Sequence, residues 1–131
     1  MKLRIRGNSI RLRLSKSEIV QLAAGGQVTD EVQFSASAQD RLTYSVSTSA
    51  NQDDVTANFT DRGISVIMPA QYAFDLANTE QVGLEHLQPI DDKAFLRITV
   101  EKDFQCLQPR IDEDESDNFS HPEPESACGL G

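Results

Sequence analysis

Residues 2–18, KLRIRGNSIRLRLSKSE, decide the fold class. Residues 2–6 alternate a cation with an apolar side chain, and residues 10–14 do the same, which is the period of a strand with one face buried. Gly7, Asn8 and Ser9 between them supply turn chemistry, so the two runs predict an antiparallel hairpin. Leu3, Ile5, Ile10, Leu12 and Leu14 fall on one side of it, and Lys2, Arg4, Arg6, Arg11 and Arg13 on the other. Ser15 then begins Ser-x-x-Glu with Glu18, a capping box in which hydroxyl and carboxylate take up the free N–H groups of a helix start. Ile19, Leu22 and Ala23 give that helix an apolar stripe, and Gly25-Gly26 ends it.

Working outward, the period of two returns in Val28 and Val32, in Leu42, Tyr44 and Val46, and in Val55, Ala57 and Phe59. Polar turns at 38–40, 51–54 and 61–63 separate these runs and predict an antiparallel meander. Residues 64–68 read as a further strand stopped by Pro69, and residues 70–78 as a short helix carrying Tyr72, Ala73 and Leu76. Residues 82–87 and 95–104 supply the last two strands. The expected architecture is α+β: a mainly antiparallel curved sheet or half-barrel of about seven or eight strands, with one N-terminal helix and one short later helix. No internal repeat is apparent. With no tryptophan, the core is expected to rest on aliphatic residues, with Phe34, Tyr44, Phe59, Tyr72, Phe74, Phe95 and Phe104 as larger fillers.

A length of 131 residues suits one domain. The expected division is a folded unit at 1–108 and an acidic tail at 109–131. Asp112, Glu113, Asp114, Glu115 and Asp117 crowd that tail, and its few apolar residues leave it disordered unless Phe119 docks. Charge is divided along the chain. The first sixteen residues hold six bases and no acid, while the remaining 115 hold the other six bases and all 21 acids. An overall charge of −9 disfavours general nucleic-acid binding, although a local basic face still suits one anion. No apolar run is long enough to span a bilayer, no secretory signal opens the chain, and two cysteines make no disulfide framework; a cytoplasmic protein is expected.

Three chemistries compete for the candidate site. First, Lys2, Arg4, Arg6, Arg11 and Arg13 crowd like charges across a ladder, which is unfavourable until an anion relieves it. That anion is either one of the protein's own carboxylates or a phosphate or carboxylate on a small molecule or partner protein. Second, a small enzyme acting on a phosphorylated or carboxylated molecule would orient it with Arg4, Arg6 or Arg97 and use Glu85, Glu101 or Asp103 as acid or base. Third, Cys106, His121 and Cys128 offer soft metal ligands, but their spacing matches no zinc motif. His86 shares a strand face with Val82 and reads as a packed histidine. A triphosphate tunnel needs Glu-x-Glu-x-Lys, and Glu101-Lys102-Asp103 fails that order. No phosphate loop or nucleophile elbow is present, and no cofactor is implied.

At residues 101–107, EKDFQCL, together with residues 3–14, LRIRGNSIRLRL, the chain resembles a small family of uncharacterised bacterial proteins of about this length. The resemblance spans nearly the whole chain. It implies a bacterial cytoplasmic protein and brings no activity, cofactor or catalytic residue with it.

Overall fold

The computed structural model of the chain describes residues 1–104. The elements run β1 (Lys2–Arg6), β2 (Ser9–Leu14), α1 (Lys16–Ala23), β3 (Val28–Gln33), β4 (Arg41–Ser49), β5 (Thr56–Thr60), β6 (Gly63–Pro69), α2 (Ala70–Asn78), β7 (Gly83–Pro89) and β8 (Phe95–Lys102). The α+β class, the opening hairpin and both helices stand as the sequence implies. The single, mainly antiparallel sheet does not. The strands form two open, mixed sheets of four, ordered β1-β2-β8-β7 and β3-β4-β6-β5. In each, two antiparallel pairs meet along a central parallel pair, β2 with β8 and β4 with β6. The meander fails at β4 and β5. They follow one another in sequence, yet β6 lies between them in the sheet.

The element order is ββαββ, stated twice. Exchanging β1, β2, α1, β3 and β4 for β5, β6, α2, β7 and β8 turns one sheet into the other, and the register follows the exchange. Arg6 opposite Ser9 and Ser9 beside Arg97 become Thr60 opposite Gly63 and Gly63 beside Thr43. The hairpin turns are fastened alike. The carbonyl of Asn8 accepts from the Arg97 amide at 3.1 Å, and that of Arg62 from the Thr43 amide at 3.2 Å. At the second turn Asp61 and Arg62 take φ of 49° and 60°, the left-handed pair that a two-residue hairpin turn demands and that glycine would adopt with less strain.

The core follows from the alternation. Ile10, Leu12, Leu14, Ile98 and Val100 from the first sheet, and Val28, Val46, Ala57, Val66 and Met68 from the second, share one cluster with Ile19 and Leu22 of α1 and Ala73 and Leu76 of α2. The helices pack on one another. The phenylalanines do not fill this core: Phe34 and Phe59 are 72% and 66% exposed, and Phe74, Phe95 and Phe104 are exposed too. They sit at strand ends, on an edge strand or on the outward side of α2, whereas aliphatic side chains fill the space between the sheets. Among the expected aromatic fillers, Tyr44 and Tyr72 do pack against the core.

Polar contacts tie the sheet edges. Gln88 on β7 donates to the carbonyl of Ala57 at 3.0 Å and accepts from its amide at 2.8 Å, which joins the edge strands β7 and β5. At the opposite edge the Met1 ammonium lies 2.7 Å from Glu18 and 3.4 Å from Asp30 on β3. The capping box is formed, with the Glu18 carboxylate accepting from the Ser15 amide. Burial alone would depress the amine, but Glu18 and then Asp30 hold it above its ordinary 8.0. Burial alone would raise Glu18, yet the ammonium and Ser15 hold it below 4.5. The amine's contribution is complete below pH 8.0 and is lost as pH rises through its raised value. The carboxylate's is complete above pH 4.5 and is lost as pH falls through its depressed value. Glu18→Gln is therefore expected to cost about 1 kcal/mol between those limits and little outside them. Urea unfolding of both forms at pH 3, 6 and 10 checks it; an equal loss at all three would contradict the ion pair.

Candidate functional site

The outer face of the first sheet carries all five hairpin cations. Lys2 lies directly opposite Arg13, and Arg4 opposite Arg11, so two cation pairs face each other across the β1–β2 ladder. β8 runs beside β2 and brings Thr99 next to Arg11 and Glu101 next to Arg13. One oxygen of Glu101 accepts from Arg13 Nε at 2.8 Å and lies 3.7 Å from Arg11 Nε. Asp103 pairs with Lys2 at 3.0 Å. Arg97 faces Glu85 at 3.9 Å, an exposed and long pair of little energetic weight.

The face is thus partly neutralised from within. Among the described residues its six cations, the five of the hairpin and Arg97, meet three carboxylates, Glu85, Glu101 and Asp103. Arg4 and Arg6 are exposed and have no carboxylate within ion-pair distance among the described residues. Arg13 differs in kind. Only 4% exposed, it is the one buried charged residue described, and its Nη2 has no hydrogen-bond partner among the described residues. A buried guanidinium N–H without an acceptor costs about 1–3 kcal/mol, and none of the described residues supplies one to this atom.

The other sequence-derived candidates are dispersed. His86 is half-buried, with Nδ1 3.1 Å from Asp54 ahead of β5, and it links the two sheets. Cys106, His121, Cys128 and the acids at 112–117 lie outside the described residues. Among the described residues no cluster of three His, Cys, Asp or Glu side chains is arranged to hold a metal, and no helix is long and apolar enough to cross a membrane. Among the described residues, clefts lie away from the five hairpin cations. One, of about 300 Å³, lies between α1, α2 and the end of β8, with Leu14, Ile19, Leu76 and Phe104 in its wall; another, of about 290 Å³, is bounded by Phe34, Arg41 and Arg62. None of the five hairpin cations lines either.

What the sequence does not disclose is the asymmetry between the two halves. At the positions of Lys2, Arg4, Arg6, Arg11, Arg13 and Arg97, the second sheet carries Thr56, Asn58, Thr60, Ser65, Ile67 and Thr43. Glu85, Glu101 and Asp103 correspond to Thr29, Ser47 and Ser49. The same backbone is built twice, once with nine charges on its outer face and once with none at those positions.

A duplicated ββαββ domain with one charged sheet face is the class that fold and site define. The chain belongs to a family of unknown function, DUF7009, whose model matches residues 1–123 and therefore runs through the acids at 112–117. No curated protein and no solved structure matches the chain.

Proposed function

We propose that the outer face of the β1-β2-β8-β7 sheet binds an anionic group, a phosphate or carboxylate on a small molecule or partner protein, and that the protein acts by binding and not by catalysis. The second sheet carries the argument, because an equivalent outer face holds the fold with threonine, serine, asparagine and isoleucine in place of the cations. Structural need therefore does not account for six cations on one face, two pairs of them opposed across the β1–β2 ladder, an arrangement that costs energy until an anion arrives. Arg4 and Arg6 supply exposed charge, and Arg11 shares its carboxylate with Arg13. The candidate acids and bases, Glu85, Glu101 and Asp103, are each already engaged with a cation of the same face. That suits internal neutralisation better than proton transfer.

Titration with inorganic pyrophosphate, followed through the arginine side-chain NMR resonances, tests this reading. Saturable binding is expected, weakening steeply with added salt, and Arg4→Ala with Arg6→Ala is expected to lower the affinity about tenfold or more. Absence of saturation at low ionic strength, or equal affinity in the double variant, would sink the proposal.

A further inference from the structure

The geometry points to the cleft between α1, α2 and the end of β8 as a second ligand site, one that takes the carboxylate of a short aliphatic chain. It lies apart from the five hairpin cations and stands without the reading of the outer face. Its floor is core: Leu14, Ile19 and Leu76 are buried and line it, while Val20 and Phe104 line it from exposed positions. An apolar cleft marked by a few polar groups is the usual form of a small-molecule site. Here the polar groups are two lysines, Lys16 in the first turn of α1 and Lys102 at the end of β8. Lysine stems lie along apolar walls and keep the ammonium at the water edge, so the charge belongs at the mouth. Lys102 Nζ donates to the carbonyl of Thr79 at 3.0 Å, at the C-cap of α2, which holds it in place and leaves two of its three donors. Lys16 has no carboxylate within ion-pair distance among the described residues. Asp103, the one acid in the lining, is already paired with Lys2 at 3.0 Å. The charge balance of the lining therefore favours an anion. At about 30 Å³ per heavy atom, the share a water takes in the liquid, a volume of about 300 Å³ admits about ten, the size of octanoate. The second half again supplies the contrast. At the places of Lys16, Val20 and Lys102 it carries Ala70, Phe74 and Thr48, so the fold itself requires neither lysine.

The test titrates the full chain with butanoate, hexanoate and octanoate, followed through the methyl resonances of Leu14, Ile19 and Leu76. Those methyls are expected to shift saturably, with affinity rising about fourfold for each added methylene. Lys16→Ala with Lys102→Thr, which installs the residues of the second half, is expected to lower octanoate affinity about tenfold and to leave that of octanol unchanged. Val20→Phe is expected to weaken both ligands by narrowing the cleft, and its exposed position spares the fold. Arg4→Ala with Arg6→Ala is expected to leave octanoate binding as it was, which separates this site from the outer face. The inference is overturned if the methyls do not shift, if affinity ignores chain length, or if the lysine pair can be removed without effect. Shifts confined to Arg4 and Arg6 would overturn it too, while leaving the anion-binding face standing.

Discussion

Glu101→Ala is expected to lower the unfolding free energy by about 3 kcal/mol, because removing one partner of a buried ion pair strands the other charge. Arg13 is the stranded group, almost wholly out of solvent and already short of an acceptor at Nη2. Arg11 loses its shared carboxylate at the same moment. The duplicated fold supplies an unusual control. The second sheet places Ile67 and Ser47 where the first has Arg13 and Glu101, side by side on the same outer face. The double variant Arg13→Ile with Glu101→Ser is therefore expected to recover most of the loss, since an apolar replacement of a buried pair is often neutral or stabilising. Urea denaturation of parent, single and double variants measures both. A double variant as unstable as Glu101→Ala would mean that the pair holds the sheet together and that the two faces are not equivalent.

Leu12→Ala is expected to cost about 3 kcal/mol, with Val66→Ala, the matching position in the second sheet, costing about 2. Leu12 is 0% exposed, set between Leu3 of β1 and Val100 of β8. Val66 sits likewise between Ala57 and Val46. The registers match, with Val46 answering to Val100 and Ala57 to Leu3, so the two losses compare equivalent backbone positions that carry different side chains. Unfolding midpoints with an unchanged denaturant slope check the pair. A Val66→Ala loss as large as that of Leu12→Ala would show that the second sheet collapses less well around a void.

The opening hairpin was legible because its signals are local: alternation, Gly7 in the turn, and a capping box four residues long. Alternation also separated cations from aliphatics correctly on β1 and β2. It reports which face a side chain takes and nothing about which strand lies alongside. Thus 51–54 looked like another hairpin turn, when the chain there passes to the far edge of its sheet and returns to set β6 beside β4. The partner of Arg13 lies 88 residues away, so no window of sequence brings Glu101 to it. The repeat was hidden for a related reason. Ile10 with Ile64 and Val100 with Val46 keep their identity, but the outer faces have diverged from charged to neutral, and the shared register is expressed only in the pairing. The phenylalanines misled because large apolar residues at strand ends carry the same alternation as core residues, while the narrow space between the sheets is filled by aliphatic ones.

The parallel seam between β2 and β8 joins the second strand of the fold to the last one described. Such a seam gives the domain a high contact order, and high contact order slows folding. Synthesis is vectorial, at about 5–20 residues per second, so the hairpin emerges several seconds before β8 does. Throughout that interval Arg11 and Arg13 have neither Glu101 nor the backbone partners beside which they finally lie. The nascent chain therefore presents bare, opposed arginines to a crowded, largely polyanionic surrounding, and whatever shields them then must let go when β8 arrives.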